Sequence, residues 1–343
     1  MDRIAFRIYR KRFSEDTVVS VGSVLREAKR ILIVPNQRPG GLLIGVIGCR
    51  AIRAHYPDTE LTIVCDADRA YIAEAIPFID KILFWDTSAS VLGGEFRGLS
   101  EHLGERPFDI ALCLSPTPSF RTVYLCYMSG AKLRVGFRME GWSPFNLEII
   151  PSPGVQHQSE YGLSMLRTLG IQGGGDLSWT VSKEIGERIQ VRYLGRDPEA
   201  RFVGFDISEG GTKALSTKQI QAIVEGARLE RYTRVLLFFT FSARKEANRV
   251  KEIYGSKILL FEIEELSKIV ALMEACEVFI SGDTDLFHLA TMMAIPKIVA
   301  LSPEGDRAGW LPPGNKAVHV LSEEDLQRNA FARIAQMIWG DAR

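Results

Sequence analysis

Short, uninterrupted apolar runs alternate with helical segments along this chain, and the alternation occurs twice, which leaves few folds open. Arg30-Ile31-Leu32-Ile33-Val34 is the first such run, followed by a Pro- and Gly-marked loop, Pro35 to Gly41, and a helix over Leu42 to His55. Glu60 to Cys65, Lys81 to Trp85 and Phe108 to Leu114 repeat the strand pattern, with a helix expected over Arg69 to Ala75. Strands that are apolar throughout belong to a parallel sheet covered on both faces. The pattern weakens after Gln172-Gly173-Gly174-Gly175-Asp176 and then resumes. Phe202 to Phe205, Arg234 to Phe239, Lys257 to Phe261, Val278 to Ser281 and Lys297 to Leu301 read as strands, and Thr217 to Leu229 as a helix. The expected fold class is therefore α/β, with two Rossmann-like domains facing across a cleft. The expected divisions are a basic lead-in over 1–28, a first domain over 29–172 and a linker region over 173–198. A second domain over 199–322 and a C-terminal helix over 323–343, packing back on the first domain, complete the chain.

Length agrees with this division, because 343 residues exceed the usual size of one domain. Lys plus Arg equals Asp plus Glu at 42 each, a balance that argues against a nucleic-acid partner. Cys49, Cys65, Cys113, Cys126 and Cys276 lie in apolar segments without the paired spacing of a zinc or redox site, so they read as buried thiols in a reducing compartment. No run reaches the roughly 18 apolar residues of a spanning helix, and the expected location is cytoplasmic. Arg3, Arg7, Arg10, Lys11 and Arg12 interleave with Ile4, Phe6, Ile8, Tyr9 and Phe13. That arm suits either peripheral contact with the anionic inner membrane surface or a solvated lead-in helix.

The most suggestive local pattern is Val278-Phe279-Ile280-Ser281-Gly282-Asp283-Thr284-Asp285-Leu286-Phe287-His288, a strand, a polar turn and a helix start. Unpaired N–H groups at a helix start attract an anion such as a phosphate. Asp283 and Thr284 stand where an N-cap belongs, and capping alone would also place them there.

In order along the chain, these segments resemble glycosyltransferase family 9, the ADP-heptose:lipopolysaccharide heptosyltransferases and their relatives. The anchors are Ile31 through Gly40, Ala51-Ile52-Arg53-Ala54-His55-Tyr56-Pro57-Asp58, Phe78-Ile79-Asp80-Lys81, Phe108-Asp109-Ile110 followed by Arg121, and Ser129 through Arg138. Glu265-Leu266 to Leu272, Asp283-Thr284 with His288, Ser302 to Asp306 and Trp310-Leu311-Pro312-Pro313-Gly314 continue the series. The resemblance implies a GT-B fold and inverting, metal-independent transfer of a heptose-like sugar from a nucleotide-diphosphate donor, ADP-linked, to a lipopolysaccharide or related glycan or glycolipid, with no cofactor. It implies donor binding by Lys213, Asp283, Thr284 and His288, with Gly210 and Gly211 allowing close backbone approach. Arg38, Arg121, Arg134 and Arg138 would meet an acidic acceptor, because guanidinium groups suit phosphate and carboxylate.

Three departures accompany the resemblance. The family's loop after the first strand usually ends Gly-Asp, the aspartate being its expected base, and here the pair is Gly40-Gly41. Asp66 and Asp86, each after a strand, are the nearby substitutes, although strand-end turns favour aspartate anyway. The family motif Asp-Thr-Gly-Pro-x-His reads Asp283-Thr284-Asp285-Leu286-Phe287-His288, which brings a carboxylate into a diphosphate site. The His-Pro-Gly segment is replaced by Asp206-Ile207-Ser208-Glu209-Gly210-Gly211-Thr212. Two functions follow as expectations: an active glycosyltransferase, or a GT-B homologue that binds sugar nucleotides or serves assembly without chemistry. A nicotinamide-dependent oxidoreductase is disfavoured, since no Gly-x-Gly-x-x-Gly follows a strand.

Overall fold

The structure is a computed structural model and describes residues 19–86, 90, 93–139, 143–151, 158–173, 179–208, 217–226, 233–293, 295–301 and 318–321. The chain divides into two compact units, Met1–Asp176 and Leu177–Arg343.

In the first unit, β1 (Arg30–Val34), β2 (Glu60–Asp66), β3 (Lys81–Trp85), β4 (Ile110–Cys113), β5 (Leu133–Phe137) and β6 (Leu147–Ile149) form one sheet. Its order is β3-β2-β1-β4-β5-β6, with neighbouring strands parallel. Helices α1 (Val21–Glu27), α2 (Gly41–His55), α3 (Ala70–Ala73), α4 (Gly94–Glu105), α5 (Phe120–Met128) and α6 (Gln158–Thr168) accompany it. Ile31, Leu32, Ile33 and Val34 are wholly buried, which is why β1 shows no polar alternation. On one face, Leu32, Val34, Val64 and Cys113 join Phe96 and Leu103 of α4 and Val123 and Leu125 of α5 in a single core. At the amino edge, Glu60 accepts from Arg30 Nε and Lys81 Nζ, both at 2.8 Å, and so ties the starts of β1, β2 and β3 together. Asp109 accepts from the Lys29 and Arg30 N–H groups and pairs with Lys132 Nζ at 2.9 Å. Burial alone would raise its carboxyl, and these partners together hold it below the ordinary value.

The second unit repeats the plan with β7 (Arg201–Asp206), β8 (Thr233–Phe239), β9 (Ile258–Glu262), β10 (Val278–Ser281), β11 (Lys297–Leu301) and β12 (Val318–Leu321). The order β12-β11-β10-β7-β8-β9 is the first sheet's order read from the other end, again parallel throughout. Its helices are α7 (Lys183–Leu194), α8 (Thr217–Gly226), α9 (Arg244–Tyr254), α10 (Leu266–Glu274) and α11 (Asp285–Thr291). Within β7, a Cβ at Gly204 would lie 2.5 Å from the Phe279 ring, so only glycine lets β7 and the aromatic core of β10 approach this closely.

Residues 183–194, expected in a linker, instead form α7 of the second unit. Ser182 Oγ accepts the Ile185 N–H at its start, and Gln190 Nε2 donates to the Ala271 carbonyl of α10 at 2.8 Å. Of the helix expected over Arg69 to Ala75, Arg69 instead closes a 3-10 turn over Ala67–Arg69 and α3 ends at Ala73. The basic arm over 1–13 and the helix expected over 323–343 lie outside the described residues. All five cysteines are buried and free, and burial pushes the Cys49 and Cys65 thiols up to about 12. Among the described residues, no helix is long and apolar enough to cross a membrane.

Candidate functional site

Each sheet reverses its strand order once, between β1 and β4 in the first unit and between β7 and β10 in the second. Loops leaving the two strands at such a point diverge to opposite faces, and ligands bind in the crevice at their carboxyl ends. In the second unit β7 ends on Asp206 and β10 on Ser281. Asp206 is wholly buried, and its Oδ1 accepts the Ser208 N–H at 2.7 Å. Oδ2 accepts from Ser281 Oγ at 2.8 Å and from Thr284 Oγ1. One carboxylate therefore closes the gap between the two strands and fixes the turn that follows β10. Burial raises the Asp206 carboxyl above its ordinary value, against the lowering effect of the hydrogen bonds from Ser208, Thr284 and Ser281.

Thr284 is the N-cap of α11, its Oγ1 accepting the Phe287 N–H at 3.1 Å. Asp285 opens the helix and is buried. His288, 2% exposed, lies one turn further, with Nε2 3.2 Å from Asp283 Oδ1, while Asp283 itself is partly open to solvent. The structure thus brings Asp283, Thr284 and His288 together. Lys213, Gly210 and Gly211 lie outside the described residues. Asp206 and Ser281 complete the group and were not singled out as site residues from sequence. The available signal was an acidic residue placed directly after an apolar strand.

At the first sheet's reversal, the loop from β1 to α2 is tied down locally. Gln37 Nε2 donates to the Pro35 carbonyl at 2.9 Å, the Arg38 N–H to Asn36 Oδ1 at 3.1 Å, and Arg69 Nη1 to the Gln37 carbonyl at 3.3 Å. Gly40 adopts a left-handed φ of 74°, which favours glycine, and Gly41 begins the helix. A Cβ on Gly41 would stand 2.2 Å from the Asn36 carbonyl oxygen. The position that resemblance assigns to a catalytic aspartate is therefore filled by backbone.

The remaining candidates separate along the carboxyl edge of the first sheet. Arg38 follows β1, half-buried Arg121 lies in the first turn of α5 after β4, and Arg138 follows β5; Arg38 and Arg138 are exposed. Asp66 ends β2 and Asp86 follows β3, so the two candidate carboxylates lie on the β3–β2 side and the three candidate guanidinium groups on the β1–β4–β5 side. Asp66 caps the adjoining 3-10 turn by accepting the Asp68 N–H at 3.0 Å. Arg134, expected on the acceptor side, is instead buried and turned to main chain. It lies near the amino end of β5 and is 8% exposed. Its Nε donates to the Pro144 carbonyl at 2.8 Å and its Nη1 to the Ala131 carbonyl at 3.1 Å, so the guanidinium holds main chain.

No family model and no curated protein sequence matches the chain. Solved structures do, and the architecture they share with it is the GT-B fold, two doubly wound parallel α/β domains. The Escherichia coli ADP-heptose lipopolysaccharide heptosyltransferase II is 18% identical with a TM-score of 0.65, covering 90% of this chain and 96% of its own. A family 9 glycosyl transferase from Veillonella parvula is 20% identical, TM-score 0.65, over 87% of this chain and 86% of its own. The UDP-GlcNAc 2-epimerase of Neisseria meningitidis, bound to UDP-GlcNAc, is 13% identical, TM-score 0.56, over 89% of this chain and 94% of its own.

Two outcomes test this geometry. Asp206→Ala, which strips the acceptor from three buried donors, should cost about 3 kcal/mol in urea unfolding. Because burial raises the native pKa, the acid's contribution is fully present below the unfolded value of 3.8 and lost as pH rises through the native one. Parent stability should accordingly fall relative to Asp206→Asn over that window, and a pH-independent difference would contradict the burial. Gly41→Asp should destabilise by roughly 1–3 kcal/mol, since the Asn36 backbone must move, and parent-like unfolding would show the loop to be open.

Proposed function

We propose that this protein is a glycosyltransferase of the heptosyltransferase type. It takes a nucleotide-diphosphate sugar, ADP-linked, at the carboxyl edge of the second sheet and passes the sugar with inversion to a bacterial lipopolysaccharide or related surface glycan. The observation that carries this reading is the convergence of Asp283, Thr284 and His288 at the strand-order reversal of a GT-B fold. The Escherichia coli structure of the same fold is an ADP-heptose enzyme and the Neisseria one holds UDP-GlcNAc, which supports a nucleotide-diphosphate sugar as the ligand.

The chemistry needs a C–O bond to form between an acceptor hydroxyl and the anomeric carbon while the bond to the diphosphate oxygen breaks. The hydroxyl proton passes to a carboxylate and the departing diphosphate is met by positive charge. In this reading Lys213, Gly210, Gly211 and the turn at Asp283–His288 hold the donor phosphates. Arg38, Arg121 and Arg138 hold an acidic group of the acceptor. Asp66 or Asp86 takes the proton, and the basic arm over 1–13 rests on the cytoplasmic face of the inner membrane.

A second reading, a sugar-nucleotide binder without chemistry, is favoured by one observation: the Asn36 carbonyl fills the space beside Gly41 where the base is expected. Calorimetric titration with ADP- and UDP-linked sugars, followed by a transfer assay with the tightest binder, separates the two. Binding with turnover that is lost in Asp66→Asn or Asp86→Asn supports the enzyme. Binding without turnover supports the second reading, and no binding by any nucleotide sugar removes both.

A further inference from the structure

Among the described residues Phe241 is the most exposed of the large apolar side chains, at 75%. It lies just past the end of β8, in the 3-10 turn Phe241–Ala243 that leads into α9. A phenylalanine this exposed gains nothing from burial, yet its surroundings hold it in place. The Arg244 guanidinium covers one face of the ring, with Cζ 4.6 Å from the centroid. That guanidinium is anchored by Glu262 at the end of β9, Nη2 lying 2.6 and 2.5 Å from the two carboxylate oxygens. The turn is fixed from its other side as well. Thr240 Oγ1 donates to the Ser208 carbonyl and lies 2.9 Å from Ser242 Oγ, and the Ser208 N–H is the one held by Asp206. Polar contacts thus run along the carboxyl ends of β8, β7 and β10 from Thr240 to Thr284, and the Glu262–Arg244 pair at the end of β9 backs the exposed Phe241 ring beside them.

We propose that Phe241, backed by Arg244, is the surface on which the base of a nucleoside diphosphate stacks. The proposal rests on the nucleotide-sugar reading above and extends it to a residue outside every motif that suggested that reading. Three features favour a base over other ligands. In doubly wound sheets the phosphates lie by the first strand's loop and the ribose is met near the end of the adjacent second strand; β7 and β8 are those strands here. A cation on one face of a ring leaves the other free for a flat π-system, and offset stacking is how aromatic rings bind bases without reading their edges. The anchoring by Glu262 also means little side-chain freedom is lost on binding.

The test titrates the full chain and its variants with ADP, UDP and inorganic pyrophosphate in a calorimeter. Phe241→Ala and Phe241→Leu should weaken ADP and UDP about tenfold, the scale of one base stacked on one aromatic side chain. Pyrophosphate binding should be unchanged, and Phe241→Trp should restore nucleotide affinity. If the parent binds both nucleotides and Phe241→Ala binds them equally well, the stacking role is overturned and the donor reading stands. It is also overturned if Phe241→Leu matches the parent, or if Phe241→Ala loses pyrophosphate to the same extent as the nucleotides. If the parent binds none of the three ligands, the donor reading falls and the stacking role with it.

Discussion

The hydrogen bonds of one buried carboxylate hold the second unit's site in shape. Asp206 ends β7, yet its two oxygens are taken by the Ser208 N–H, by Ser281 at the end of β10 and by Thr284 at the start of α11. A carboxylate with no solvent exposure is costly unless its lone pairs are filled, and here three donors from two sides of a strand-order reversal fill them. The consequence is local rigidity. With Thr284 pinned from below, its hydroxyl still caps the helix, Asp283 is held at the open side, and His288 packs beneath it at hydrogen-bonding distance.

The two sheets share a strand order but present different chemistry at their carboxyl edges. In the second unit the reversal is bridged by side chains, and the turn above it keeps the residues that resemblance assigns to a nucleotide sugar. In the first unit the side chains of Asn36, Gln37 and Arg69 brace the main chain of the β1 loop, and the Asn36 carbonyl stands where a side chain at position 41 would begin. The loop is thus packed around the missing side chain at Gly41 and the left-handed turn at Gly40. The edge that remains is divided by charge. Asp66 and Asp86 lie over β2 and β3, and Arg38, Arg121 and Arg138 over β1, β4 and β5, while Arg69 beside Asp66 is turned to the Gln37 carbonyl.

Much of the fold was legible because wholly buried parallel strands leave an unmistakable apolar record, as in Ile31 to Val34 and Val278 to Ile280. Helix α7 was less so: Ile185, Val191 and Tyr193 are all among its exposed residues, which blurs the periodicity even though Ser182 and Gly195 mark its ends. Strand β5 was obscured by Arg134, which the resemblance gave to an acceptor while its guanidinium in fact holds the Pro144 and Ala131 carbonyls. The grouping of Asp283, Thr284 and His288 was legible because all three lie in one strand-turn-helix segment. Asp206 was not, because its role depends on Ser281 and Thr284, 75 and 78 residues away in sequence, being brought beside it by a parallel pairing of β7 with β10.

Whether the turn held by Asp206 receives a nucleoside diphosphate is read out by amide hydrogen exchange of the full chain with and without saturating ADP. A nucleotide seated there slows exchange over residues 281–288, with smaller effects elsewhere in the second sheet. Saturation by ADP that leaves exchange at 281–288 unchanged while slowing it at another part of the chain would contradict it.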